Sequence, residues 1–302
     1  MSPLQRVIKY CAMGFAAFLM VGILSSIVAV VSGVGSGFDV YGENKNYVSY
    51  TKDFENVRNL NISNDEKKLT IVSGDTEKVI VEVKNVPDTL EVKLTSDGTL
   101  VIEDQNRFYI SWFFGWTGDW NNDMEILVTV PRDFTVGRVE LDGGSATMEI
   151  EDISADNMMI DGGSGSFVGR NLYAKKANIS LGSGSSRFEY VKFEKGKMDC
   201  GSGDIKIENA IFNDVEFDGG SGSISYSGQL LGNTYLDGGS GRNTFELEGR
   251  REEYSIECDG GSGGLWIDGT REDDYRDRNS EASNEIKIDG GSGRIVIDFY
   301  SE

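Results

Sequence analysis

Eight serines recur along the chain: Ser145, Ser164, Ser183, Ser202, Ser221, Ser240, Ser262 and Ser292, each directly after a glycine. Three residues before seven of them stands an aspartate: Asp142, Asp161, Asp199, Asp218, Asp237, Asp259 and Asp289, with Ser180 in the remaining place. Hydroxyls and carboxylates in such an array raise two chemistries, nucleophilic catalysis and cation binding. The chain has no histidine, which removes Ser-His-Asp and Cys-His machinery and the commonest transition-metal ligand. Eight equivalent serines then read as turn residues whose hydroxyls bond nearby backbone.

The aspartates need a closer look. Stacked at strand spacing, their carboxylates lie about 5 Å apart. Two charges at that distance repel by roughly 1 kcal/mol in water and roughly 3.5 kcal/mol at an effective dielectric of 20. Turn N–H groups, solvent or a cation must offset this. Calcium takes several oxygen ligands, but the nonapeptide calcium roll repeats every nine residues and places its aspartate after the glycines. Here the aspartate precedes the glycines, and the period is longer. The row is therefore read as structural Asx-turns, with a calcium ladder as the one cation alternative. No catalytic, cofactor-binding or metal residue is assigned.

A second candidate lies at 108–120, FYISWFFGWTGDW, which holds three of the four tryptophans. Trp112, Phe113, Phe114, Trp116 and Trp120 either form a hydrophobic lid on the first rung or present an aromatic platform to a sugar, a peptide or a membrane interface. The lid is the preferred reading, and the Gly-Trp-Thr-Gly tip keeps the platform in play. With 50 acidic residues, carboxylate pairs of the kind that cleave glycosides are inevitable, and nothing marks one pair as catalytic. Cys200 and Cys258 fall in rungs too far apart for a disulfide, and Cys258 occupies an apolar column. The GxG turns are not nucleotide loops, because no helix follows them. A net charge of −21 excludes a basic grip on nucleic acid.

The elements that must position these residues follow from the spacing. Successive marked serines lie 19, 19, 19, 19, 19, 22 and 30 residues apart. Such a period signals a repeat architecture. Four residues before each serine runs an apolar column: Leu141, Ile160, Ile179, Met198, Phe217, Leu236, Cys258 and Ile288. Five residues after it runs another, Ile150, Phe188, Ile207, Tyr226, Phe245, Ile267 and Ile297, broken by Gly169. Alternation on both sides of the turn is the strand signature. One unit cannot bury its apolar face alone, but stacked units can. The fold class is therefore all-β, a single-stack β-solenoid with 19-residue rungs over 136–302. Eight rungs give a rod of roughly 34 Å. The turn glycines Gly144, Gly163, Gly182, Gly201, Gly220, Gly239, Gly261 and Gly291 supply positive φ or close approach.

Residues 54–135 lack the mark and read as irregular rungs and a cap. Strands are expected at Val57–Ile62, Lys68–Val72, Lys78–Val83, Leu90–Leu94, Leu100–Glu103 and Met124–Val130. The stretch 269–283 reads as a charged excursion, and the last strand, Arg294–Phe299, is a candidate open edge.

The N-terminus carries Arg6 and Lys9, then no charge from Tyr10 to Phe38. The apolar heart, Phe15–Val31, is long enough to span a bilayer and longer than a usual signal-peptide core. A retained signal anchor at 10–34 is expected, with cleavage as the rival. The basic flank places 1–9 in the cytoplasm. Residues 35–53 form a polar linker, and the extracytoplasmic part carries 27 basic against 50 acidic residues, or −23.

The strings LNISNDEKKLTIVSGD (60–75), DTLEVKLTSDGTLVIED (88–104), ILVTVPRDF (126–134) and the GSG series to residue 295 resemble a bacterial family. It is domain-of-unknown-function family 4097, the "putative adhesins", which includes LiaG-like envelope proteins. The resemblance implies a membrane-tethered, surface-exposed β-strand repeat. It supplies no catalytic motif. The expected function is non-enzymatic: a cell-surface interaction or envelope-sensing module whose partner is a cell-wall polymer or an envelope membrane protein. An adhesin contacting host or neighbouring cells, a structural spacer and a polysaccharide-active enzyme are the alternatives.

Overall fold

The computed structural model of the chain describes residues 46–64, 67–104, 123–259, 261–272, 275–277 and 279–301. Residues from Tyr47 onward form one compact unit. The expected membrane anchor at 10–34 lies outside the described residues, and among the described residues no helix is long and apolar enough to cross a membrane. What is described is almost wholly β: one sheet of 26 strands and a single 3-10 turn at Arg251–Glu253.

Seven strands precede the marked repeat: β1 (Tyr47–Phe54), β2 (Asn59–Ser63), β3 (Lys68–Gly74), β4 (Val79–Pro87), β5 (Leu90–Leu94), β6 (Thr99–Asp104) and β7 (Glu125–Pro131). The last six coincide with the expected strands. The first is a correction. The sequence reading gives 47–53 to the linker, whereas the structure pairs β1 antiparallel with β4. Val48, Tyr50 and Phe54 explain the difference, because they pack on the core.

The marked repeats then alternate a strand before the turn with a strand after it. In chain order these are β8 (Thr135–Asp142) and β9 (Met148–Glu151), β10 (Ser154–Asp161) and β11 (Phe167–Arg170), and β12 (Tyr173–Ser180) and β13 (Ser186–Glu189). A short β14 (Lys192–Phe193) comes before β15 (Gly196–Asp199) and β16 (Ile205–Asn213), followed by β17 (Val215–Asp218), β18 (Ile224–Leu231), β19 (Asn233–Asp237) and β20 (Arg242–Glu248). Along each strand, buried and solvent-facing residues alternate, as in Met148–Glu151 and Ile224–Leu231. The apolar columns are interior: Ile160, Ile179, Met198 and Phe217 are all at most 2% exposed. Gly169 is not a gap in this core. A Cβ there would lie 2.7 Å from Leu172 Cδ1, 3.0 Å from the Phe167 ring and 3.3 Å from that of Phe188, so these three side chains already occupy its place. Aromatic packing continues through Phe212, Phe217, Tyr226 and Phe245, with ring centroids 5.5–6.0 Å apart.

Rungs stack in parallel, and equivalent residues face one another. Asp142 pairs with Asp161, Asp161 with Ser180, Ser180 with Asp199, Asp199 with Asp218 and Asp218 with Asp237. The glycine after the marked serine is fixed by this stacking. Cβ atoms on Gly165, Gly184, Gly203 and Gly222 would lie 1.6–1.9 Å from the carbonyl oxygen of the equivalent residue one rung back. The exception, Ala146, begins the series: the 19-residue stack places no equivalent residue before it, and its own carbonyl meets Gly165.

At both ends the spatial order departs from the chain order. The last repeats are β21 (Tyr254–Asp259) and β22 (Leu265–Ile267), then β23 (Thr270–Glu272) and β24 (Arg276–Asp277), then β25 (Asn284–Asp289) and β26 (Arg294–Tyr300). β25 lies between β19 and β21, and β26 lies between β20 and β22. The final strand is therefore paired on both sides and is not an open edge. The 269–283 stretch is not an excursion either. It folds back, with β23 antiparallel to β22 and β24 antiparallel to β21, and covers the end rung. The same device appears at the beginning. β2 lies between β6 and β8, and β3 between β7 and β9. β5 then pairs antiparallel with β6, and β4 with β7. Unpaired strand edges template association, and antiparallel caps cover the parallel stack at both ends.

Candidate functional site

The aspartate row runs along the rim of the turn. Asp161, Asp199, Asp218 and Asp237 each accept a hydrogen bond at Oδ1 from the N–H two residues on, that of Gly163, Gly201, Gly220 and Gly239, at 3.0–3.3 Å. These are Asx-turns, and the N–H dipoles offset part of the repulsion along the row. Asp142 also accepts from the Ser63 hydroxyl at 3.4 Å. At the C-terminal end the order is Asp237, Asp289, Asp259, so the row follows the stack rather than the chain. Among the described residues, no group of three carboxylate, thiol or imidazole side chains is placed to hold a metal ion.

The marked serines are tied by their main chain. The N–H of Ser164, Ser183, Ser202, Ser221 and Ser240 donates to a glycine carbonyl one rung back, at 2.7–3.1 Å. The glycines before them have φ near +50° at Gly144, Gly163, Gly201, Gly220, Gly239 and Gly291, where a side chain would be strained. At Gly182 and Gly261 close approach to a neighbouring carbonyl oxygen, 2.0 and 1.7 Å from an added Cβ, demands glycine.

Ser180 interrupts the carboxylate row, and a shallow open depression of about 590 Å³ lies beside it. Met159, Asp161, Asn178, Ser180, Lys197 and Asp199 help to line it. Met159 is 40% exposed, which is unusual for so large an apolar side chain here. Lys197 bonds Glu216 at 2.6 Å. That hydrogen bond, then the carboxylate charge itself, raises the lysine above its ordinary value and keeps it cationic. With Glu140 and Asp142 also on its wall, the depression offers a methyl thioether, one cation and four carboxylates, and it holds no nucleophile paired with a base.

Both described cysteines are buried. Burial, then the charges of Asp199 and Asp218, pushes the Cys200 thiol far up, so it stays protonated and unreactive. The aromatic candidates Trp112, Phe113, Phe114, Trp116 and Trp120 lie outside the described residues.

A second corner escaped the sequence reading. Seven residues after the marked serine stand Asp152, Asn171, Tyr190 and Asn209, all with φ between +51° and +57°. The recurring Asp and Asn were the available signal, since these residues tolerate left-handed backbone. Asn171 donates from its side chain to Asp152 at 2.9 Å. Tyr190 breaks the pattern: a bulky ring, 63% exposed, sits in the same strained conformation.

The relation to other proteins matches this geometry. A family model described as Toastrack DUF4097 matches residues 57–298. The chain belongs to the Toastrack DUF4097 family. Its match spans the stack from β2 into β26, so the irregular opening rungs and the marked repeats are one Toastrack domain. No curated protein matches the chain significantly. Similar solved structures include a "putative adhesin" from Bacteroides fragilis, 12% identical, with a TM-score of 0.45, covering 84% of this chain and 98% of that one. A "putative lipid binding protein" from Parabacteroides distasonis is 17% identical, with a TM-score of 0.46, covering 84% and 97%.

Proposed function

We propose that the chain is a membrane-anchored, extracytoplasmic Toastrack solenoid that acts without catalysis, as a surface-interaction or envelope-sensing module. The observation that carries this reading is the register of the stack. Equivalent side chains are held one above another across many rungs, so the surface presents rows of repeated groups. Lys197–Glu216, Arg187–Glu208 and Arg170–Glu189 bridge successive rungs at 2.6–3.1 Å. Such rows suit a partner that is itself repetitive, a wall polymer above all. The uncharged run 10–38 behind Arg6 and Lys9 supports an N-terminus in the cytoplasm and a solenoid outside.

The test is co-sedimentation of the full-length chain, held in detergent micelles, with isolated cell-wall material, with and without calcium. Binding in either condition is the expected result. Dependence on calcium would assign the aspartate row a cation. No binding in either condition would sink the wall-polymer reading and turn attention to crosslinking of membrane-protein partners.

A further inference from the structure

The fourth tryptophan, Trp266, is on the outer face of β22. Its ring lies over Gly264, where an added Cβ would come within 3.1 Å of the indole, so glycine makes room for it. Two arginines flank the ring. The Arg294 guanidinium carbon is 3.8 Å from the Trp266 ring centroid, and that of Arg271 is 5.4 Å away. Arg271 is the register partner of Trp266 across the β22–β23 hairpin. On the other side of Arg294, in register one rung away, stands Arg242. All three arginines are exposed.

This cluster is out of keeping with the rest of the molecule. The chain carries −21, and cations that meet in register elsewhere are neutralised. Arg187 faces Lys206 across the ladder, but Glu208 pairs with both of them and Glu189 with Arg187 as well. Arg242 and Arg294 face each other with no ion pair to either among the described residues. Like charges placed directly across a ladder repel, and stacking on Trp266 offsets this only for Arg294. A guanidinium held by its carbon over an indole face leaves N–H groups for other partners, and a guanidinium fork grips phosphate or carboxylate with two hydrogen bonds.

We infer that Arg242 and Arg294, with Trp266 as the platform that orients Arg294, form an oxyanion site that takes a phosphate or carboxylate group. The site deepens the envelope-binding reading and rests on it only for the source of the anion. The swapped order of the C-terminal rungs creates it. Arg242 and Arg294 are 52 positions apart by number and meet because β26 inserts beside β20. Trp266 joins them because β22 lies outside β26.

The experiment uses the full-length chain in micelles, with Trp112, Trp116 and Trp120 changed to phenylalanine so that Trp266 alone emits. Inorganic phosphate is titrated against potassium chloride at matched ionic strength. A saturable change in emission with an apparent Kd in the low millimolar range is expected. The double variant Arg242→Gln/Arg294→Gln weakens it at least fivefold, and Arg138→Gln leaves it unchanged. A potassium chloride response equal to that of phosphate, or a double variant that titrates like its parent, overturns the site.

A second arm measures binding of poly(glycerol phosphate) to the chain with all tryptophans intact, by calorimetry. Loss of that binding in the double variant supports the site with a polymer as the anion's source. Undiminished polymer binding in the double variant overturns the site while leaving the envelope reading in place. Failure of the chain to sediment with cell walls, alongside an intact phosphate titration, would sink the envelope reading and leave the site standing.

Discussion

The interior rungs and the two ends of this solenoid are built under different rules. From β8 to β20 the chain climbs one rung every 19 residues, and space follows sequence. At each end the order is exchanged: the penultimate position is taken by β2/β3 at the start and by β25/β26 at the finish, with an outer rung and antiparallel caps beyond. Interior rungs have two parallel neighbours, so periodic side chains suffice to specify them. An end rung has one neighbour and an exposed edge, so its stability depends on what the chain folds back over it. A quasi-one-dimensional stack gains most of its stability from nearest-neighbour interfaces, and both ends of this chain insert a strand pair where it makes two such interfaces instead of one.

The largest test of this difference removes an end. Deletion of residues 284–302 takes out β25 and β26 and leaves β21 and β22 without their parallel partners. The expected outcome is loss of the last two rungs together, seen as a reduced denaturant m-value and as rapid amide exchange from Tyr254 onward. Deletion of β1, which among the described residues pairs only with β4, should leave the m-value nearly unchanged. Equal effects from the two deletions would break the argument that the penultimate position locks the stack.

Next in size is a change of one interior glycine against one end glycine. A Cβ on Gly203 would meet the Gly184 carbonyl oxygen at 1.9 Å, so Gly203→Ala forces two rungs apart. We expect a loss of about 3 kcal/mol or more, toward the upper range for overpacking. Gly269 has φ +75° and no atom within 4 Å of an added Cβ. Gly269→Ala should cost only the strain of left-handed backbone, about 1–2 kcal/mol. Chemical denaturation of both variants checks the ranking. Similar losses would mean that close approach is not what fixes the turn glycines.

How much of this was legible follows from the same contrast. The 19-residue interval, the two apolar columns and the Asp-Gly-Gly-Ser-Gly turns specify the interior rungs, because a strict period has one simple stacking. The column break at Gly169 was visible, but not its filling by Leu172, Phe167 and Phe188. The ends were not legible as such. The intervals of 22 and 30 residues announced irregularity, yet nothing in a linear pattern says that Arg294 returns to lie between Arg242 and Trp266. That placement is decided by edges competing for partners, a property of the assembled stack. The oxyanion site was hidden for the same reason, since its residues come from three separate rungs. The second corner at Asp152, Asn171 and Asn209 was legible in principle, and Tyr190 disguised it.

Tyr190 gives a smaller effect, of opposite sign. The same corner in neighbouring rungs is held by Asn171 and Asn209, with nearly the same φ. Tyr190→Asn removes strain from an exposed side chain and should stabilise the fold by about 1 kcal/mol. A destabilised variant would show that the exposed ring makes a contact worth more than its backbone strain.

The smallest effect separates the interior from the ends by pH. Asp214 follows β16 at an interior corner, and the Asn233 N–H beside it, then the Asn233 side chain, holds its carboxyl below the usual range. Asp97 lies in the β5–β6 hairpin at one end, and the hydroxyls of Thr95 and Thr99 do the same there. A carboxyl whose folded value is depressed contributes stability above its unfolded value, about 3.9, and loses it as pH falls through the folded value. Both groups therefore make the fold weaker on acidification below about pH 4. The two sites report on different units, because an end hairpin can open without the stack. Asp214→Asn should flatten the acid side of the global unfolding curve. Asp97→Asn should leave that curve in place and flatten only the pH dependence of amide exchange in β5 and β6. If Asp97→Asn also shifted global unfolding, the end hairpin and the interior stack would be one cooperative unit, and the two regions would differ in construction but not in stability.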